Sequence, residues 1–82
     1  MMRMEERGVS PEEVFRALDE PVEIAYDRSR DVYVALGANG VAVVYAQRGM
    51  YYEIVTVMRE VEYRNLVYRI GRRRYRIVYT AP

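Results

Sequence analysis

Eighty-two residues without a cysteine or a histidine make a single domain, residues 1–82, that must hold itself together by apolar burial alone. The missing residue types exclude disulfides, thiol nucleophiles, thiolate or imidazole zinc sites and the commonest general base, so any chemistry falls to Arg, Tyr, Asp, Glu, Ser and Thr, with no metal or cofactor expected. The net charge of +1 conceals a gradient: residues 1–40 carry five arginines and nine acids, residues 41–82 carry eight arginines and three acids, and from Tyr63 onward six arginines stand without an acid.

All thirteen basic residues are arginine, which suits paired hydrogen bonds to phosphate or carboxylate and follows equally from genomic codon bias. The longest apolar stretch, Val41 to Ala46, falls far short of the roughly 20 residues a membrane span needs. Met1 to Arg7 is too charged for a signal peptide. A soluble, cytoplasmic protein with no membrane partner is expected.

In chain order, the first clear element is a helix in Gly8 to Pro21. Ser10 is its N-cap, Pro11 occupies the first helical position, and Glu13 completes a capping box. Val9 and Val14 are spaced for a hydrophobic staple, and Val14, Phe15 and Leu18 form the stripe expected to be buried. Gly8 is placed to end a preceding helical turn through Met1 to Arg7. The paired carboxylates Glu5-Glu6, Glu12-Glu13 and Asp19-Glu20 fit helix-end chemistry and surface charge.

After Pro21 the period changes to two. Val22, Ile24 and Tyr26 alternate with polar or small residues, a polar turn spans Asp27 to Asp31, and Val32, Val34 and Leu36 give the next apolar face. Asn39-Gly40 is the pair expected of a tight type I′ hairpin, not of a phosphate-binding loop. Val41 to Ala46, apolar on both faces, reads as a central strand, and Tyr52 to Met58 runs back as a fourth.

The tail admits two readings. Tyr63, Leu66, Val67 and Ile70 fit helical spacing with Gly71 as a cap, so Arg59 to Ile70 can be a helix. A turn at Gly71-Arg72 instead makes a hairpin that pairs Tyr68 with Tyr75 and Leu66 with Ile77, and the abundance of Val, Ile and Tyr favours it. The fold expected is α+β: short N-terminal helices packed on an antiparallel β-meander of four strands, plus a C-terminal β-hairpin.

In that hairpin Tyr68, Tyr75, Leu66, Ile77 and Arg73 share one face, and Arg69, Arg74, Arg76 and Val67 the other. Guanidinium groups grip phosphate and tyrosine rings stack on unpaired bases, so Arg69, Arg72, Arg73, Arg76 and Tyr68 are candidate RNA-binding residues. Neighbouring positive charge favours a phenolate, making Tyr75 a candidate general base with Arg74 beside it as a stabiliser of phosphate charge. A solvated strand face, or an arginine-studded edge that resists aggregation, accounts for the same residues without any ligand. Core or boundary packing accounts for most of the nine tyrosines.

The stretch RMEERGVSPEEVFRALDEPVEI, Arg3 to Ile24, with YDRSRDVYVALG and the later IVTV at Ile54 to Val57, resembles a family of small domains of unknown function grouped with the RelE, ParE and BrnT-like toxins. The likeness covers about residues 3–58. It implies N-terminal helices on a small antiparallel sheet, the RelE/BrnT-like plan. It also implies a toxin-type, metal-independent endoribonuclease acting through arginine and tyrosine, with RNA and a small acidic antitoxin-like protein as partners. Arg3, Met4, Arg7 and Gly8 match the family's motif as structural positions; the tail lies beyond the likeness, which therefore assigns no catalytic residue. The alternative is a non-catalytic module that binds RNA, adds a partner's strand to a sheet edge or forms a homodimer through its tyrosine-rich faces.

Overall fold

The computed structural model describes residues 8–82, so the helical turn expected through Met1 to Arg7 and the motif positions Arg3, Met4 and Arg7 lie outside the described residues. Helix α1 (Pro11–Asp19) leads into four strands in meander order: β1 (Pro21–Asp27), β2 (Val32–Gly37), β3 (Val41–Arg48) and β4 (Tyr51–Arg59). A second helix, α2 (Glu60–Asn65), continues without a break into a π-helical turn, Leu66–Ile70, and the chain ends on β5 (Tyr75–Thr80). The fold is α+β, two helices on one five-stranded antiparallel sheet of order β4-β3-β2-β1-β5.

Helix α1 begins where its capping signals lie. The Glu13 amide donates to Ser10 Oγ at 3.2 Å and the Ser10 amide to Glu13 Oε1 at 2.9 Å. Val9 and Val14 are both buried in one cluster with Val41, Val43 and Val57, as the staple requires. Phe15, expected in the buried stripe, is instead 65% exposed. The helix is seated by Val14 and Ala17, and Ala17 lies so close to Gly37 that a Cβ there would meet the Ala17 Cα at 2.8 Å. That approach fixes the rotation of the helix and turns the Phe15 position outward.

The Asn39-Gly40 turn is also built differently from a type I′ pair, because only Gly40, at φ 78°, has positive φ. The Gly40 amide donates to the Gly37 carbonyl at 3.1 Å, giving a three-residue loop with one left-handed glycine. Asn39 serves as a tie: its Nδ2 donates to the Glu13 carbonyl at 3.1 Å and its Oδ1 accepts from the Val41 amide at 3.3 Å.

Alternation along β3 separates two cores. Val41 and Val43 face α1; Ala42 and Val44 face the other side, with Val34, Leu36, Met58, Tyr63 and Val67. The six residues Val41 to Ala46 are all buried, as a central strand covered on both faces demands. Helices therefore lie on opposite faces of the sheet.

The C-terminal hairpin is not formed. Residues 60–70 are helical, the Tyr68–Tyr75 and Leu66–Ile77 pairs do not exist, and β5 crosses to the far edge, where Tyr75 pairs with Asp27 and Ile77 with Ala25. The strand-favouring composition yields to burial: helical spacing sets Tyr63, fully buried, and Val67 four residues on against the second face of the sheet, which is otherwise bare. The helix closes through the Gly71 amide on the Leu66 carbonyl at 2.6 Å, a five-residue step that widens the last turn.

Candidate nucleic-acid interface

The expected site residues do not share a face. Tyr75 opens β5, with Arg74 in the turn just before it. Arg74 Nε lies 3.2 Å from Asp27 Oδ1, Arg74 Nη2 donates to the Tyr75 hydroxyl at 3.1 Å, and the guanidinium stands 5.0 Å from that ring's centroid. Arginine and tyrosine thus engage each other and a carboxylate of their own chain. Asp27 is 1% exposed and also accepts from the Ser29 amide at 2.9 Å, the Ser29 hydroxyl at 2.8 Å and the Arg30 amide at 3.3 Å. Burial pushes its carboxyl up, but these donors and Arg74 outweigh that and hold it below the usual carboxylate range.

Tyr68 lies in the π-helical turn, where its hydroxyl donates to Glu23 Oε2 at 2.6 Å, and the Tyr63 hydroxyl donates to the same oxygen at 2.6 Å. One carboxylate on β1 so pins the second helix. Burial first, then the bond to Glu23, pushes the Tyr68 phenol up to about 12, and the same causes raise Tyr63 further. Arg69 reaches back along its helix to Asn65 Oδ1 at 3.4 Å. Arg72 and Arg73 project from the exposed turn, and Arg76, one residue past Tyr75, falls on the opposite face in register with Tyr26. The expected band of Arg69, Arg74 and Arg76 is therefore split among a helix, an ion pair between the half-exposed Arg74 and the buried Asp27, and the far side of a strand.

What the fold does bring together is different. The Arg28 amide donates to the Arg74 carbonyl at 3.0 Å, so the β1–β2 turn abuts the turn before β5. Arg28, Arg30, Arg72 and Arg73 are exposed there. Among the described residues, no carboxylate lies within ion-pair distance of these four or of Arg76. Of the acids in the β1–β2 turn, Asp27 is engaged as above, and Asp31 accepts from the Tyr26 hydroxyl at 2.7 Å and keeps its negative charge without pairing to a described arginine.

Beside this basic corner runs a row of rings. Tyr26 on β1, Tyr33 on β2, Tyr45 on β3 and Tyr52 on β4 stand side by side with centroids 5.0, 5.5 and 4.8 Å apart. Strand register makes the row, since Tyr26 pairs with Tyr33 and Tyr33 with Tyr45. Arg76 extends it onto β5. The row shares a face with α1 but occupies the other end of it, because α1 covers the Gly37, Val41, Val43 and Val57 end. Exposure rises outward, from 8% at Tyr45 to 54% at Tyr52.

Both sheet edges are interrupted. The registers skip Val55 on β4 and Val78 on β5, so each edge strand carries a bulge in mid-strand. Such bulges bend an edge away from flat pairing, which weakens the strand-addition reading. An apolar groove of about 630 Å³ lies between β4 and α2, lined by residues that include Met58, Leu66 and Ile70. Among the described residues there is no group of acids suited to a metal ion and no helix long and apolar enough to cross a membrane.

The row and the corner are hidden from sequence reasoning for one reason. Each depends on which strands become neighbours, and Arg28 and Arg30 meet the tail only because β5 returns to β1. The strand positions of Tyr26, Tyr33 and Tyr45, followed through the two hairpin registers, are the available signal. No protein-family model, no curated protein and no solved structure matches this chain.

Proposed function

We propose that this chain is a non-catalytic binding module for single-stranded RNA, held by the basic corner and the adjoining tyrosine row. The observation that carries the reading is the convergence of Arg28, Arg30, Arg72, Arg73 and Arg76, free of carboxylate partners among the described residues, beside aromatic rings on an open stretch of sheet. Unneutralised guanidinium groups attract phosphates, and exposed rings or hydroxyl edges accept bases or ribose. The resemblance of residues 3–58 to toxin-grouped domains points to the same class of ligand. Binding is preferred to cleavage because Arg74 and Tyr75, the pair best suited by sequence to chemistry, are engaged with Asp27 and with each other.

Titration of a labelled single-stranded RNA, followed by anisotropy, tests this. If all five arginines meet phosphates, log affinity should fall against log salt with a slope of about −3.5, a loss of about 100-fold between 50 and 200 mM. Absent or salt-insensitive binding would refute the reading. Shortened RNA on a gel, in the presence of EDTA, would refute its non-catalytic half.

A further inference from the structure

We infer that Tyr52 is a stacking platform for one unpaired base at the open end of the tyrosine row, an inference that rests on the RNA reading above. Inner rings of the row are flanked on both sides: Tyr33 by Tyr26 and Tyr45, Tyr45 by Tyr33 and Tyr52. Each inner ring therefore has an aromatic neighbour on both sides, stacked between Tyr33 and Tyr45 and tilted at the other two steps. Tyr52 has Tyr45 on one side only, because β4 is the edge of the sheet, and it is 54% exposed. The neighbouring Met50 and Tyr51 are 103% and 67% exposed, so this end of β4 carries apolar side chains that no described part of the fold covers.

Position identifies the occupant. Topology sets the β3–β4 turn at the same end of the sheet as the turns bearing Arg28, Arg30, Arg72 and Arg73. An apolar protein surface has no use for five guanidinium groups that lack carboxylate partners among the described residues at that end, whereas a nucleic-acid strand needs both features. From Arg76 on β5 to Tyr52 on β4 the row crosses four strand spacings, about 19 Å. A stacked strand rises about 3.4 Å per nucleotide, so about six nucleotides span it, with phosphates at the arginine end and a base at Tyr52.

The chain has no tryptophan, so Tyr52→Trp introduces a single fluorophore that can be excited apart from the tyrosines. Its emission should be quenched when single-stranded RNA binds and should stay unchanged with an abasic strand of the same length. Tyr52→Ala should weaken RNA binding about 5- to 150-fold, the equivalent of about 1–3 kcal/mol per stacked base, with the salt slope unchanged because no charge is lost. On the abasic strand Tyr52→Ala should bind as the unsubstituted protein does.

If RNA binds with its steep salt dependence but the indole of Tyr52→Trp is not quenched, or Tyr52→Ala binds normally, the platform is disproved while the RNA reading stands. An equal loss on base-bearing and abasic strands would also overturn the platform, and circular dichroism of Tyr52→Ala tells whether that loss is one of fold. Failure of the unsubstituted protein to bind RNA overturns both. A blue shift of the Tyr52→Trp emission on phosphatidylserine vesicles, with no response to RNA, would overturn the platform and assign the tip to a lipid surface instead.

Discussion

Residues 8–59 and the tail that follows are held by contacts of very different reach. In the first region most elements are fixed by a neighbour: Ser10 and Glu13 cap one turn, and consecutive strands pair in sequence order, while Asn39 ties the β2–β3 turn to α1 and Arg59 Nη2 reaches back to donate to the Gly8 carbonyl at 3.0 Å. The tail packs on one face of the whole sheet, and its side-chain ties run to β1, some forty or more residues earlier. Glu23 takes the hydroxyls of Tyr63 and Tyr68, Asp27 takes Arg74, and the Ala81 amide donates to the Val22 carbonyl at 2.9 Å. Local rules specify the first region, whereas the second is specified by what is left uncovered once the first has formed: one sheet face and one edge of β1.

The largest expected effect cuts that dependence at its centre. Tyr63→Ala removes a ring with no exposed surface and one of the two donors to Glu23, and should cost about 3–5 kcal/mol in urea unfolding. Hydrogen exchange should then show β5 and α2 opening at lower free energy than β3. Uniform loss of protection across all five strands would mean that the two regions are a single cooperative unit and that the contrast between them is false.

A smaller effect sits at Asp27. Its carboxyl is held below the ordinary 3.8, so the stability it supplies is present above that value and is lost as pH falls through the folded value. Asp27→Asn should cost about 1–3 kcal/mol near neutral pH by weakening the bonds to Ser29 and stranding Arg74. It should also flatten the acid limb of a stability-against-pH curve below about pH 4. An unchanged acid limb would show that Asp27 does not fasten the tail.

The alkaline limb reports on the other fastening and is expected to be shallower, because Tyr68 is partly exposed. A phenol raised from 10.0 to about 12 binds its proton more tightly in the folded state. Its contribution is complete below pH 10 and declines as pH rises toward about 12. Tyr68→Phe should remove part of that decline while leaving the acid limb alone. An alkaline decline as steep in Tyr68→Phe as in the unsubstituted chain would place its cause elsewhere.

The same contrast explains what can be read from the residues. Ser10, Glu13, the Val41 to Ala46 run and the four-strand meander are legible because their partners are adjacent in sequence or at a fixed period. Phe15 is misplaced by sequence because its exposure depends on how closely Ala17 approaches Gly37, a tertiary distance. Sequence favours the C-terminal hairpin because β propensity and a turn at Gly71 are local, whereas the vacant face that draws in Tyr63 and Val67 is not. The candidate RNA-binding set is half visible: Arg72, Arg73 and Arg76 stand out in the tail, but Arg28 and Arg30 join them only through the Arg28–Arg74 backbone bond.

The smallest effect separates arginines that the fold has used from those it has left over. Arg28→Ala removes a guanidinium without a carboxylate partner among the described residues and should reduce the salt slope of RNA binding by about 0.7, a change in affinity of less than about threefold between 50 and 200 mM. The double substitution Asp27→Asn with Arg74→Gln removes one negative and one positive charge that already neutralise each other. It should lower stability and leave the salt slope where it was. If the slope falls by the same amount in both variants, Arg74 faces phosphate despite Asp27, and charge in this corner is shared across the whole cluster. If it falls only in Arg28→Ala, the Arg74–Asp27 pair serves the architecture and the exposed turns serve the ligand, which is the division that the long-range contacts of the tail create.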